Sequence, residues 1–288
     1  VDLRFFVKTL LEIPPEISLL VVIGYIAGQV ISAFKWRLLA VAGGISVTFR
    51  EALKAYFIGM FVNCFGLGMV GGDVVRGVLV SGDSHSRTLG VTSVIADRLH
   101  GLAVLAGMGA LSAVIFRPDF LDLSMILLLS GIGISVAVGW IFAPQVAELL
   151  LPRESQFGAK LVKSTMMLTR DSRVLISTTL VSIAFHLCQI GLHWIMAMSF
   201  GVSIPIVYLI VTVPFINILS SLPISWNGVG VREAGYLFFF SQQHPFLTQE
   251  QAVAMGVIWL IGVTVASSIG GIVAFLSKDF SFRSPVYQ

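Results

Sequence analysis

The sequence predicts an all-α, polytopic integral membrane protein: a helical bundle in which two oppositely oriented re-entrant helical hairpins form an inverted repeat. Three observations carry that expectation. Of 288 residues, 56% are hydrophobic and 11% are charged, whereas a soluble domain carries roughly 25% charged residues; mean hydropathy is +0.94. Several stretches reach the roughly 20 apolar residues that a spanning helix needs. Two further apolar regions are each interrupted by a polar, glycine-rich segment that carries an arginine and an acid, the first over 63–76 and the second over 222–233. Ionisable groups at membrane depth are costly and mark a substrate or ion path. Broken helices are tolerated there only where the freed backbone is buried in protein or lines water.

The elements follow in order. Residues 1–16 mix charge with Pro14 and Pro15, do not read as a signal peptide, and form an extracytoplasmic segment. Spans are expected over 17–34, 89–116, 123–150, 174–198 and 252–276, and the broken regions occupy 55–80 and 206–240. No stretch reads as a detachable soluble domain, so residues 1–288 are one membrane domain. Lys35, Trp36 and Arg37 close the first span as an interfacial anchor. Residues 158–170 are expected as a basic surface helix on anionic lipid. Cys64 and Cys188 lie in apolar stretches and read as packing residues rather than a disulfide. The net charge of +3 is spread over loops, which excludes a nucleic-acid footprint.

Loop charge sets the orientation. Lys35, Arg37, Arg50 and Lys54 lie in one connection, Arg153, Lys160, Lys163, Arg170 and Arg173 in another, and Lys278 and Arg283 in the tail, whereas the connections 199–205 and 241–250 hold no lysine or arginine. The positive-inside rule places the basic set in the cytoplasm. Counting spans from there, region 55–80 starts and ends inside and region 206–240 starts and ends outside. Each leg of the first hairpin is then about a dozen residues, about 18 Å at 1.5 Å per residue, too short for a core of about 30 Å. The second is longer, and a tilted full crossing stays open. Phe61-Val62-Asn63 before the first break parallels Phe215-Ile216-Asn217 before the second, as expected where discontinuous helices of an inverted repeat meet near the midplane.

The candidate binding residues are the polar groups of these breaks and of the span between them. Asp73 and Arg76 are three apart and share a helical face; they form either a charge pair lining a half-cavity, with Arg76 receiving a phosphate by forked hydrogen bonds, or an internal salt bridge. Arg232 is expected to face the cavity from the outer side, and Glu233 to pair with Arg98 or to hold a proton. Asp97 and Arg98 lie too deep in a span to reach water by snorkelling, so they face the interior. Asn63, Asn217 and Asn227 sit where they can satisfy freed backbone groups. His100 reads as a packing residue, and His186 and His193, seven apart, lack a third ligand for a metal. No cofactor is expected.

At these residues the chain resembles the transmembrane flippase-like domain of lysylphosphatidylglycerol synthases. The matching stretches are Ala33-Phe34-Lys35-Trp36-Arg37-Leu38-Leu39, Phe49-Arg50-Glu51-Ala52, Asn63 to Gly71-Gly72-Asp73-Val74-Val75-Arg76, Ala96-Asp97-Arg98-Leu99-His100-Gly101-Leu102, and Pro223 to Gly228-Val229-Gly230-Val231-Arg232-Glu233. They occur in the family's order and cover most of the chain. Family members usually carry one more span before the region matching 1–16, and the first break often has a proline where this chain has Gly66 or Leu67. With no aminoacyl-transferase domain, lysyl-lipid synthesis does not carry over. The resemblance implies a lipid-handling or lipid-translocating multi-pass protein of a bacterial or archaeal cell membrane and does not name the lipid; the arginines at the breaks make an anionic or phosphate head group the expectation. The protein's partners are then membrane lipids, and a homodimer stays open. The alternatives are a secondary transporter of a small solute and an intramembrane enzyme on a lipid-linked substrate. The enzyme lacks a Gly-x-Ser-x-Gly elbow or His-Glu-x-x-His motif, and no phosphate-binding loop supports direct nucleotide coupling.

Overall fold

A computed structural model describes residues 3–66, 68–81, 84–116, 122–150, 171–222 and 225–277. Arg117, Pro223, Lys278, Arg283 and the basic stretch expected as a surface helix over 158–170 lie outside the described residues. Every regular element among those described is helical: α1 (Leu3–Leu11), α2 (Pro15–Ala42), α3 (Phe49–Phe65), α4 (Gly68–Leu79), α5 (Ser84–Phe116), α6 (Leu123–Leu150), α7 (Ser172–Ser199), α8 (Ile206–Ser220), a 3-10 turn (Trp226–Gly228), α9 (Val231–Tyr236), a π-helical turn (Leu237–Gln243) and α10 (Gln249–Leu276). Within these, Pro15–Ala42, Arg87–Phe116, Ser172–Ser199 and Gln249–Leu276 are long and apolar enough to cross a membrane.

Local chemistry starts the helices. Pro15 occupies the first turn of α2, where its missing N–H is no loss. Thr48 and Glu51 form a capping box on α3, and Thr248 and Gln251 form one on α10. Asp171 accepts from the Arg173 and Val174 amides at the start of α7.

Three boundaries depart from expectation. α2 does not stop near Phe34 but runs to Ala42, which carries Lys35, Trp36 and Arg37 inside the helix. Lys35 and Trp36 are buried, and Arg37 donates to the Val47 carbonyl at 3.1 Å, so the interfacial-anchor reading is overturned. The cause is packing: the apolar stretch after Arg37 buries Leu39 and Ala40 against neighbouring helices. α3 begins at Phe49 and has 17 residues, and α4 has 12. The first leg of that hairpin is therefore about 25 Å long at 1.5 Å per residue, not about 18 Å. α5 begins at Ser84.

The two broken regions are antiparallel helical pairs. In the first, α3 and α4 approach closely at Gly59 and Gly72: a Cβ on Gly72 would meet the Gly59 carbonyl and lie 2.6 Å from Asn63 Oδ1. In the second, Gly228 lies beside Ser220, Gly235 beside Ile216, and the Tyr208 hydroxyl donates to the Phe239 carbonyl. The base of the first pair packs near the C-terminal end of α2, where Trp36, Ala40, Ala52 and Ala55 share a core. The base of the second packs near its N-terminal end, where Val21 joins Tyr208, Phe239 and Leu247. The bases of the two pairs thus pack toward opposite ends of α2, and α4 touches the 3-10 turn of the other break.

Candidate functional site

The first pair brings a charged cluster against α2 and α5. Asp97 sits between two cations, with Lys35 Nζ 3.0 Å from its Oδ1 and Arg76 Nη2 3.2 Å from its Oδ2. Lys35 also donates to the Asp97 carbonyl at 3.1 Å. Asp73 lies 3.4 Å from Arg76 Nε and receives a two-pronged contact from Arg98, Nε to Oδ2 at 2.9 Å and Nη2 to Oδ1 at 3.0 Å. Arg76 is clamped further by rings, its guanidinium carbon 4.9 Å from the centroid of Trp36 and 4.8 Å from that of Tyr56, a favourable cation–π geometry. Trp36 Nε1 donates to Ser93 Oγ, and the Tyr56 hydroxyl donates to Ser32 Oγ. Lys35, Arg76 and Asp97 are buried, whereas 48% of the Arg98 side chain is accessible.

The second break presents a different cation. Asn227 adopts φ 51°, and Gly228 and Gly230 follow at φ 77° and 84°; this left-handed backbone turns the chain within a few residues. The Asn227 carbonyl accepts from Arg232 Nη1 at 3.1 Å, and the Arg232 guanidinium stands 5.6 Å from the Trp259 ring centroid. Arg232 is only 9% exposed. Among the described residues, its Nε and the Asn227 amide nitrogen have no hydrogen-bond partner, and no carboxylate pairs with it.

One cavity of about 440 Å³ joins the two breaks. Among the expected site residues, Asn63, Asp73, Arg76, Asp97, Arg98, Asn227 and Arg232 all line it. Asn63 Oδ1 accepts from the Gly72 amide at 2.8 Å, so this asparagine does meet backbone, that of the opposite leg. Asn217 also lines the cavity.

Two expectations fail in detail. Glu233 is not among the lining residues and does not pair with Arg98, which is held by Asp73. Neighbouring residues on a helix diverge, and Glu233 at the third position of α9 turns back to accept from the Gly230 amide at 2.5 Å. Among the described residues, no hydrogen bond joins the Asn227 side chain to the backbone of its break, and its amide nitrogen has no partner. His100, expected as a packing residue, is buried with Nε2 3.2 Å from Thr179 Oγ1, whereas His186 lines the cavity. His186 contacts the Gly101 carbonyl at 3.2 Å, and His193 bridges the Gln189 carbonyl and the Tyr236 hydroxyl at 2.7 and 2.8 Å.

Lys35 was missed as a site residue, and so were Tyr25, Gln29, Ser32, Gln189 and Trp259, all of which line the cavity. A signal existed for the first four: Tyr25, Gln29, Ser32 and Lys35 are spaced four, three and three apart, a polar stripe along one face of an otherwise apolar helix.

Long apolar helices around two broken pairs, with a charged cavity between the breaks, define an all-α polytopic membrane protein with a polar interior. Within that class, the chain belongs to the family of the lysylphosphatidylglycerol synthase TM region, whose model matches residues 1–271. No curated protein and no solved structure matches the chain. Family membership supports a membrane lipid-related role.

Proposed function

We propose that the chain translocates lipids with a phosphate-bearing or otherwise anionic head group between the leaflets of a bacterial or archaeal cell membrane. The observation that carries this reading is the shared cavity: the breaks of two helical pairs, whose bases pack toward opposite ends of α2, converge on one charged chamber. With the basic connections in the cytoplasm, the α3–α4 pair re-enters from that face and the pair of α8 with α9 and the π-helical turn from the other. The head group exchanges water for guanidinium donors, and its tails stay in lipid. Arg98, half exposed and part of the cavity lining, offers the first contact; Arg232 offers the next at the other break. Charge-assisted forked hydrogen bonds to phosphate offset the dehydration that makes unassisted crossing slow.

The lining also favours transport over catalysis. Its two carboxylates, Asp73 and Asp97, are both held in ion pairs, so neither is poised as a general base.

The test is lipid translocation in proteoliposomes, read as dithionite bleaching of an acyl-labelled fluorescent phosphatidylglycerol. The wild-type chain exposes the inner-leaflet pool, and Arg98→Gln slows that exposure about tenfold, the equivalent of losing one charge-assisted hydrogen bond of about 1.5 kcal/mol. Protein-free rates in wild-type vesicles, or wild-type rates in a folded Arg98→Gln variant, would contradict the proposal.

A further inference from the structure

The cavity lining is electrically unbalanced, and half of the imbalance rests on one residue, Arg232. Among the described residues it holds four fixed cations, Lys35, Arg76, Arg98 and Arg232, against two carboxylates, Asp73 and Asp97. Both carboxylates belong to the cluster formed by the first break with α2 and α5, where each touches two cations. Arg232, at the other break, meets among the described residues only a backbone carbonyl and the face of Trp259. An arginine cannot shed its proton to escape burial, and a buried charge without a counter-charge is strongly unfavourable. Among the described residues, the buried polar atoms of the cavity lining on this side that lack a partner are all donors, while Ser225 Oγ of the same break, also without a partner, is not part of the lining. Arg232 Nε, Asn227 Nδ2 and Gln189 Nε2 are all N–H donors without acceptors among the described residues, and all three residues line the cavity. Gln189 connects to this wall through His193, whose Nδ1 meets the Gln189 carbonyl and whose ring lies 4.7 Å from Trp259.

We propose that Arg232, Asn227 and Gln189 form a phosphate-anion site at the second break, and that the cavity's surplus of two positive charges selects head groups by net charge. Phosphomonoesters bind best, phosphodiesters without an amine bind next, and head groups carrying their own ammonium are refused. The inference deepens the lipid reading above by naming its substrate class and the place of capture. Selection follows from the lining: an ammonium has no free carboxylate to meet, because Asp73 and Asp97 are already engaged, and it would add charge to a chamber with an excess of the same sign. The first-break cluster, largely neutralised within itself, acts as the positive wall and Arg232 as the ligand.

Titration calorimetry on the full chain in detergent tests this with water-soluble dihexanoyl phosphatidic acid, dihexanoyl phosphatidylglycerol, dihexanoyl phosphatidylcholine and inorganic phosphate. Phosphatidic acid is expected to bind at least tenfold more tightly than phosphatidylcholine, with phosphatidylglycerol between. Arg232→Gln is expected to weaken phosphatidic acid at least tenfold and to erase the ranking. Asn227→Asp keeps the arginine but sets a carboxylate beside it; it is expected to remove anion binding in a folded protein, which covers the case in which Arg232→Gln fails to fold. Equal affinity for phosphatidylcholine and phosphatidic acid, or unchanged affinity in Asn227→Asp, would overturn the proposal. Inorganic phosphate binding through Arg232 as tightly as phosphatidic acid would support the anion site while removing the lipid from the reading above.

Discussion

Asp97 is met by two buried cations, Lys35 and Arg76, so its neutralisation leaves both with less than they need. Breaking a buried ion pair by removing one partner costs about 3–5 kcal/mol. Asp97→Asn is accordingly expected to lower unfolding stability in detergent by about that much, measured by denaturant titration; a loss below about 1 kcal/mol would show that the cluster is hydrated like a surface pair. The same argument separates two arginines that the sequence treated alike. Arg76→Ala removes a residue clamped by two acids and two rings, so the variant is expected to be destabilised as well as inactive. Arg232→Gln removes a cation without an acidic partner among the described residues, and its folding cost is expected to be smaller in the same titration. At this scale the sequence was informative about identity and poor about partners. Ionisable residues at membrane depth were legible as interior by cost alone. Which acid meets which base was not, because that depends on where α4 lies against α5. Glu233 shows the limit: a local backbone amide three residues away captured a carboxylate that spacing had offered to Arg98.

Each broken pair depends on a few close approaches. Gly72→Ala would push a methyl group into the Gly59 carbonyl and Asn63; it is expected to splay α3 from α4 and to lower the thermal midpoint by several degrees, since overpacking costs about 1–3 kcal/mol. In the second pair, His193 ties α7 to α9. The Gln189 carbonyl can only accept, so His193 Nδ1 carries the proton and Nε2 accepts from the Tyr236 hydroxyl. Tyr236→Phe leaves that buried nitrogen unsatisfied, a cost of about 1–3 kcal/mol, and an unchanged unfolding midpoint would refute the tie. The breaks were legible as elements because glycine, asparagine and charge interrupt apolar runs. The length of α2 was not. Lys35-Trp36-Arg37 has the composition of an interfacial anchor, and only the burial of Leu39 and Ala40 beyond it reveals a helix that continues. The polar stripe Tyr25, Gln29, Ser32 and Lys35 was present in the sequence, yet its meaning needed a facing cavity.

Over the whole molecule, the proposal that the two pairs enter from opposite faces of the membrane makes a labelling prediction. In a variant with Cys64 and Cys188 replaced, single cysteines at Ser46→Cys and Ser81→Cys, which flank the first pair, are expected to react with an impermeant maleimide from one side of the membrane. Ser203→Cys and Gln243→Cys, which flank the second, are expected to react from the other side only. If the two members of either pair label from different sides, that region is a full crossing and the inverted arrangement fails.

The central claim is that the chamber between the breaks receives a lipid head group. The most direct measurement is an electron-microscopy map of the chain in nanodiscs of phosphatidic acid. The account predicts head-group density inside the cavity, its phosphate against Arg232 with Arg98 nearby and its tails leaving between helices. Lipid ordered only on the outer surface, with the chamber empty of head groups at a resolution that shows the Arg232 side chain, would contradict it.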